Sequence, residues 1–579
     1  MSTDDSQFDE VVDVLVVGSG AGGMVSALTA KAGGLDPVII EKAEFFGGST
    51  AMSGGGAWVP GAPEFKRLGE HDDPEQVYQY LLNIAGNDVS HARLRKYVES
   101  APRMMEFLES RGPLLRNGFW WNKGYPDYHP EKGGNPLGRG LWATPVDARI
   151  LGEDEKYLRK GTARMRGLPK GMWLTGKDLH SINKLRWRVG PGPYKTLGRL
   201  AWRTVRARVL GERMAPNGSG LATRLRVTVR EAGIPLRLNT PMKSLITDDS
   251  GRVIGAEAEH GGRKLRIRAR RGVILATGGF ENNPEMRPKY QPTIGKGWSM
   301  ASPDSQGDGH RAGEAVGGKL DLMDDSWWFP VIQLPGTIFG SVAERQYAGQ
   351  FVVNSAGKRF VNEASPYTDF GRVQVDAHET GVSHIPAFMI IDDKAWKRNF
   401  ICAHFPGRPM PKEWLESGLV KKADTIEALA DQLGVPRDAL RETQERFNRF
   451  ARQGKDEDFG RGDSPYDHYY ANPKLKNPNL DEVAKPPFYA FQMYPGDLGT
   501  KGGLLTDENA RVLREDGSVI AGLYACGNAS ASVMGHDYAG PGATIGPAMT
   551  FAWVAGNHIA ETEPAETTAS GEQVPAGGA

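Results

Sequence analysis

Cysteine is almost absent: the 579 residues include only Cys402 and Cys526. Two thiols cannot build a disulfide framework or a cysteine zinc site, and no other metal-ligand pattern stands out. Charge of one sign is also missing. The net value is +1, so bulk charge selects no partner. No run of 18 apolar residues occurs, and the opening MSTDDSQFDE is acidic and polar with no apolar signal core. Both features read against export and membrane spanning, and the expected location is cytoplasmic. Internal repeats are absent too. The length exceeds one ordinary domain, so two are expected, each with its own core.

Glycine is what the chain has in quantity, with 74 residues. Val11 to Val17 (VVDVLVV) reads as a buried strand, followed at once by GSGAGG with Gly18, Gly20 and Gly23 in G-x-G-x-x-G register. Met24 to Ala30 reads as a helix. A second apolar run, Pro37 to Ile40, ends in Glu41. Strand, glycine turn, helix, strand and acid form the dinucleotide fingerprint. Its glycines let the backbone approach a pyrophosphate at the helix N-terminus, and the acid holds a ribose hydroxyl.

The segment after Glu41 favours FAD over NAD. FFGGSTAMSGGGAW, Phe45 to Trp58, carries glycine and hydroxyl residues well past a pyrophosphate loop, as suits a ribityl chain and a flavin ring. GLYACGNAS, Gly522 to Ser530, adds a short strand ending in Gly527 and Asn528. The residues assigned to the cofactor therefore fall in four groups. They are Gly18, Gly20, Ala21, Gly22 and Gly23; Glu41, Lys42, Gly48, Ser49, Thr50, Ser53, Gly54 and Gly55; Ala276, Thr277 and Gly278; and Gly527, Asn528, Gly546 and Ala548. No histidine lies in the early glycine-rich segment, so the flavin is expected to be non-covalent.

The fold class is α/β: a Rossmann-type FAD-binding domain built from both chain ends, with an inserted α+β catalytic (cap) domain. Residues 8–325 and 496–561 are assigned to the first and 326–495 to the second. Arg266 to Gly279 reads as a strand and Ala-Thr-Gly-Gly turn returning to the first sheet, and Thr425 to Gln453 as an amphipathic helical stretch. Residues 562–579 have the composition of a disordered tail.

Near the C-terminus, GHDYAGPGATIGPAM places the Tyr538 hydroxyl four residues before the Gly542 amide, ahead of a helix start. Two donors on a rigid turn can hold a carbonyl oxygen that gains negative charge during a reaction. Alone, such a segment also suits an ordinary surface turn.

Taken in order, the motifs resemble those of the 3-ketosteroid Δ1-dehydrogenases, within the wider fumarate reductase/succinate dehydrogenase flavoprotein group. The resemblance rests on DVLVVGSGAGG, EKAEFFGGSTAMSGG, YPDYHP, VVNSAGKRFVNEASPYTDFGR, GDLGTKGGLLTDENARVLREDGS, GLYACGNAS and GHDYAGPGATIG, spread over nearly the whole chain. It implies 1,2-dehydrogenation of a 3-ketosteroid. Tyr538 and the Gly542 amide would hold the C3 oxygen, and Tyr367 would take the C2 proton assisted by Tyr128. Hydride would pass from C1 to flavin N5. Asn-Glu-Ala-Ser-Pro-Tyr here, and Ala539 where the family often has proline, remove none of these groups. Gly499 stands where fumarate reductases place a histidine, and the 535–547 turn has no arginine. A dicarboxylate would find no cationic clamp there. The sister Δ4-(5α)-dehydrogenases and a flavoprotein electron carrier of the same fold remain as alternatives. No motif identifies an electron acceptor.

One stretch stands outside this pattern. Residues 156–213 hold 16 Lys/Arg against Asp178 and Glu212, a local charge of 16 − 2 = +14, with several aromatics. Between Lys195 and Leu210, Leu197, Ala201, Val205 and Val209 share one helical side, opposite Arg199, Arg203 and Arg206. A basic amphipathic helix with aromatics suits an anionic membrane surface, where steroids dissolve. A solvated insertion or an oligomer contact is the plainer alternative, and nucleic acid is not expected.

Overall fold

The computed structural model describes residues 7–161, 172–175, 178, 180–181 and 192–562. Its central sheet runs, edge to edge, through strands Arg511–Leu513, Val519–Ala525, Arg263–Leu275, Glu10–Val17, Pro37–Ile40 and Leu236–Arg237. The last five are mutually parallel. Parallel strands are covered on both faces, which is why VLVV and PVII are continuous apolar runs rather than alternating ones. Met242–Thr247 and Val253–His260 extend Arg263–Leu275 as an antiparallel ribbon.

Chain ends meet in this sheet. Arg263–Leu275 lies between Glu10–Val17 and Val519–Ala525. Behind it, helix Ala21–Ala32 packs against Ile545–Glu561. A methyl group at Gly556 would lie 2.6 Å from the Thr29 Cβ, so the two helices approach at backbone distance.

A second, antiparallel sheet is built from Thr337–Gly340, Val331–Leu334, Phe488–Tyr494, Ala387–Asp392, Gln350–Val353 and Val420–Ala423. The Thr425–Gln453 stretch is two helices, Ile426–Leu433 and Arg437–Gln453, rather than one. Gly434 adopts φ +69° and Pro436 follows, a combination that ends one helix and starts the next. Two buried clusters, one on each face, close this sheet. Strand Ser326–Trp328 pairs with Asp497–Thr500 where the chain leaves and re-enters the first sheet's surroundings.

The basic stretch is described in part. Helix Gly192–Leu210 forms as the spacing requires, but it turns Thr196, Leu200, Thr204 and Ala207 inward. The apolar stripe of Leu197, Val205 and Val209 faces outward. Trp202 is 66% and Val209 76% exposed. Arg203 reaches the buried Asp178 carboxylate at 2.8 Å and lies over the Trp173 ring. Trp187 and residues 563–579 lie outside the described residues.

Candidate active site

A cavity of about 530 Å³ opens at the C-terminal ends of the parallel strands and continues between the two sheets. Its floor is the fingerprint. Strand Glu10–Val17 ends against Gly18, and the helix begins at Ala21 with Gly20 as its N-cap, lacking any side-chain cap bond. The first-turn N–H groups there suit an anion such as a pyrophosphate. Gly23 is required by packing: a Cβ would lie 1.9 Å from the Gly18 carbonyl oxygen. Glu41 takes hydrogen bonds from Ser19 N (3.0 Å) and Ser19 Oγ (2.6 Å) on one oxygen and from Ala43 N on the other. The carboxylate is thereby fixed at the end of the second strand, where a ribose belongs.

Gly18, Gly20, Ala21, Gly22, Glu41, Lys42, Gly48, Ser49, Thr50, Ser53, Gly54, Gly55, Ala276, Thr277, Gly278, Gly527, Asn528 and Ala548 line the cavity. Gly23 and Gly546 do not. Gly23 lies beneath the turn, and Gly546 packs on the backbone of Trp58, where a Cβ would meet its oxygen at 2.1 Å. Lys42 pairs with Asp308 at 2.6 Å, and Thr50 Oγ1 accepts from Ala21 N at 3.1 Å. Met300–Ser302, Ser305 and Asp308 also line the cavity. They come from a loop and the first residue of helix Asp308–Ala315, without fingerprint spacing, so sequence reasoning had no signal for them. This donor set fits FAD.

At the far side of the cleft, three tyrosines meet. Ring centroids are 5.3 Å apart for Tyr128 and Tyr538, 5.4 Å for Tyr128 and Tyr367, and 5.8 Å for Tyr367 and Tyr538. Each arrives by a different local device. Tyr128 follows the fully buried Asp127, which accepts from Trp58 Nε1 (2.8 Å) and Asn135 N (3.0 Å) and pairs with Arg139. Tyr367 opens helix Tyr367–His378 directly after Pro366. Tyr538 lies in the turn before Ile545–Glu561, and Tyr128 N donates to Ala539 O at 3.1 Å. Tyr367, Tyr538 and Gly542 line the cavity, whereas Tyr128 stands behind them and its neighbour Tyr125 reaches the wall. Gly542 adopts φ +93°, and a Cβ there would sit 2.6 Å from Ala57 N, so the turn admits only glycine.

Burial pushes all three phenols up, Tyr128 and Tyr367 well above the usual value. A protonated Tyr538 is what a hydrogen-bond donor to a ketone requires. The Tyr367 and Thr544 hydroxyls and the Gly542 amide lie near the Tyr538 phenol oxygen and oppose part of that rise. For Tyr367, the neighbour that opposes burial is Tyr128.

Behind the tyrosines lies an ionic knot that the sequence reading missed. His129 Nε2 meets Asp537 Oδ1 at 2.7 Å, Lys132 Nζ meets Asp537 Oδ2 at 2.8 Å, and Lys501 Nζ donates to Asp537 O at 3.0 Å. Burial opposes a charged His129, yet the carboxylates of Asp537 and Glu131 hold its pKa up at about 10. Asp537 is buried too, but His129 and Lys132 hold it well below the usual carboxylate range. His129, Asp369 and Asp537 would offer three metal-ligand atoms, but Asp537 is already neutralised by His129 and Lys132. Arg372 also reaches the turn, donating to His536 O and pairing with Asp325 at 2.5 Å. Neither Lys501 nor Arg372 lines the cavity. His536, partly exposed and not part of the cavity wall, lies 2.6 Å from Asp88.

Residues 13–545 match the family described as FAD binding domain. The 3-oxosteroid 1-dehydrogenase of Mycobacterium tuberculosis (strain ATCC 25618 / H37Rv) is 44% identical over 567 residues, spanning 95% of this chain and 98% of that protein. The enzyme of that name from Comamonas testosteroni is 35% identical, over 94% and 96%. Among solved structures, 3-ketosteroid delta1-dehydrogenase from Sterolibacterium denitrificans, in complex with 1,4-androstadiene-3,17-dione, aligns with a TM-score of 0.87 and 39% identity. It covers 95% of this chain and 99% of its own. The 3-ketosteroid-delta4-(5alpha)-dehydrogenase of Rhodococcus jostii RHA1 shares the fold at 21% identity and TM-score 0.66, over 96% and 98%. The chain belongs to the FAD-binding-domain family and, within it, to the 3-oxosteroid 1-dehydrogenases.

Proposed function

We propose that this protein removes the C1 and C2 hydrogens of 3-ketosteroids, converting a 3-keto-4-ene to a 3-keto-1,4-diene. The observation that carries the reading is the meeting of Tyr367, Tyr538 and Gly542 on the wall of the cavity whose floor is the dinucleotide fingerprint. A C–H beside a ketone is acidic only while the enolate oxygen is stabilised, so donors on oxygen and a base must act together. Tyr538 O–H and Gly542 N–H would hold the C3 oxygen. Tyr367 would take the C2 proton, with the Tyr128 hydroxyl easing formation of the phenolate. FAD, when bound, supplies the acceptor for the hydride leaving C1. Among the described residues, no lysine or arginine stands beside Tyr538 on the cavity wall, which supports an uncharged ketone over a dicarboxylate. Residues 8–325 and 496–561 would then carry the cofactor and 326–495 close over the substrate. Anaerobic mixing with a 3-keto-4-ene steroid tests this: the flavin absorbance should bleach, and an unbleached spectrum rejects the reading.

A second element concerns where the protein works. Helix Gly192–Leu210 carries six of the ten large apolar side chains that are exposed among the described residues. Arg199 and Arg206 are about half exposed beside that stripe. Apolar and basic groups on one outward surface support peripheral contact with an anionic bilayer, the phase in which the substrate dissolves. No helix among the described residues is long and apolar enough to cross a membrane.

A further inference from the structure

Away from the tyrosines, the cavity wall comes from the second sheet's surroundings and includes Val342, Ala343, Tyr347, Phe400 and Tyr470. One acidic side chain interrupts this apolar and aromatic surface. Glu344, in helix Ala343–Gln346, is only 5% exposed and still lines the cavity. Its position relative to the ketone grip follows from the rings between them. Tyr128 contacts Tyr125, Tyr125 contacts Tyr470, and Tyr470 feels the Glu344 carboxyl. Glu344 therefore stands two rings beyond the tyrosine cluster, on the same cavity.

A buried carboxyl is normally paired with a cation. Among the described residues no ion pair reaches Glu344. The adjacent Arg345 turns its guanidinium to the carbonyl oxygens of Ser341 (2.9 Å), Glu363 (2.9 Å) and Ser365 (3.0 Å). The groups that hydrogen-bond to the Glu344 carboxyl are backbone amides: Cys402 N at 3.2 Å, with those of Val342 and Glu344 close by. Burial pushes this acid up to about 7, so its neutral form is readily populated. A neutral carboxyl carries one O–H, and these backbone amides cannot accept it.

The backbone that orients it is strained. Cys402 and Ala403 are consecutive non-glycine residues with φ +49° and +61°, in the turn that aims the Cys402 N–H at Glu344. Such conformations are costly for residues with a Cβ and cluster at ligand clamps.

We infer that Glu344 is a substrate-recognition residue: its carboxyl donates a hydrogen bond to an oxygen on the end of the steroid opposite the ketone. This rests on the 3-ketosteroid reading above and deepens it. The site would prefer steroids with an oxo group at C17 over those with only hydrogen there.

The test compares kcat/KM for 4-androstene-3,17-dione and for 4-androsten-3-one, which lacks the C17 oxygen, in the flavin-loaded protein. Glu344→Met keeps the side-chain length but cannot donate. It should lower the ratio of the two values about tenfold, the scale of one net hydrogen bond. Glu344→Gln keeps a donor and an acceptor for Cys402 N, and should hold the ratio within about threefold of the starting protein. A merely structural Glu344 would move both steroids together and leave the ratio fixed. An unchanged ratio in Glu344→Met, or a loss in Glu344→Gln as complete as in Glu344→Met, overturns the inference while the dehydrogenase reading stands. If Glu344→Met does not fold, Glu344→Ala, which also lacks a donor and adds no bulk, takes its place: a ratio lowered about tenfold upholds the inference and an unchanged ratio overturns it. Oxidation of neither steroid by the unmutated protein overturns both.

Discussion

His129 Nε2 lies 2.7 Å from Asp537 Oδ1, which ties the residue after Tyr128 to the residue before Tyr538. Two of the three clustered phenols are thus set by one ion pair behind them, and Lys132 and Lys501 grip the same residue.

Removing that tie should loosen the tyrosine cluster without emptying the flavin cleft. His129→Gln is expected to cost about 3 kcal/mol, the scale for breaking a buried pair. It should lower kcat while the flavin-to-protein ratio stays constant.

The knot also has a defined pH window. His129 is raised to about 10 in the folded state, so its contribution is complete below its unfolded pKa of about 6.5 and is lost as pH rises through 10. Asp537 is depressed, so its contribution is present above about pH 4 and is lost on acidification. The difference in Tm between the unmutated protein and His129→Gln should therefore be widest between about pH 4 and 6.5 and shrink towards pH 10. A difference that grows above pH 7 would contradict the assignment.

Single hydroxyl deletions should separate the two roles assigned to the cluster. Tyr538→Phe is expected to lower kcat about 10² to 10³-fold, as for loss of one donor to a developing oxyanion. Tyr367→Phe should abolish bleaching by steroid while the flavin stays bound. Stopped-flow absorbance reads both.

Gly542→Ala puts a Cβ 2.6 Å from Ala57 N on a residue at φ +93°. The turn must shift, so both Tm and kcat should fall, in contrast to Tyr538→Phe, which should leave Tm nearly unchanged.

For the outward helix, the unmutated protein should pellet with anionic liposomes at low salt and be released by high salt. Val205→Asp, on the exposed stripe, should stay in the supernatant while its kcat on detergent-dispersed steroid is retained.

Much of this could be read from the chain, for reasons that differ by element. Gly18 to Glu41 is local, and its spacing is dictated by the ligand it cradles, so strand, turn, helix and acid fall where the fingerprint requires. Tyr128, Tyr367 and Tyr538 came through motif resemblance, because nothing in their spacing brings them together. The knot was invisible for the same reason: Lys132 and Asp537 are 405 residues apart. Periodicity identified the stripe on Gly192–Leu210 but carried no information on which side faces the protein. There, buried Asp178 decides, drawing Arg203 inward and leaving Val205 and Val209 outside.

The position of Val519–Ala525 beside Arg263–Leu275 bears on how the molecule is made. During synthesis, strand Arg263–Leu275 emerges long before the partner that covers its outer edge. Until Val519–Ala525 leaves the ribosome, the Val273–Leu275 part of that edge, which Val253–His260 does not cover, is open to pairing with other chains, and helix Ala21–Ala32 lacks its neighbour Ile545–Glu561. The fingerprint is translated well before Gly527, Asn528 and Ala548, yet all of them line one cradle. The cofactor cradle is thereby assembled only after Val519–Ala525 and the segment carrying Gly527, Asn528 and Ala548 have been translated.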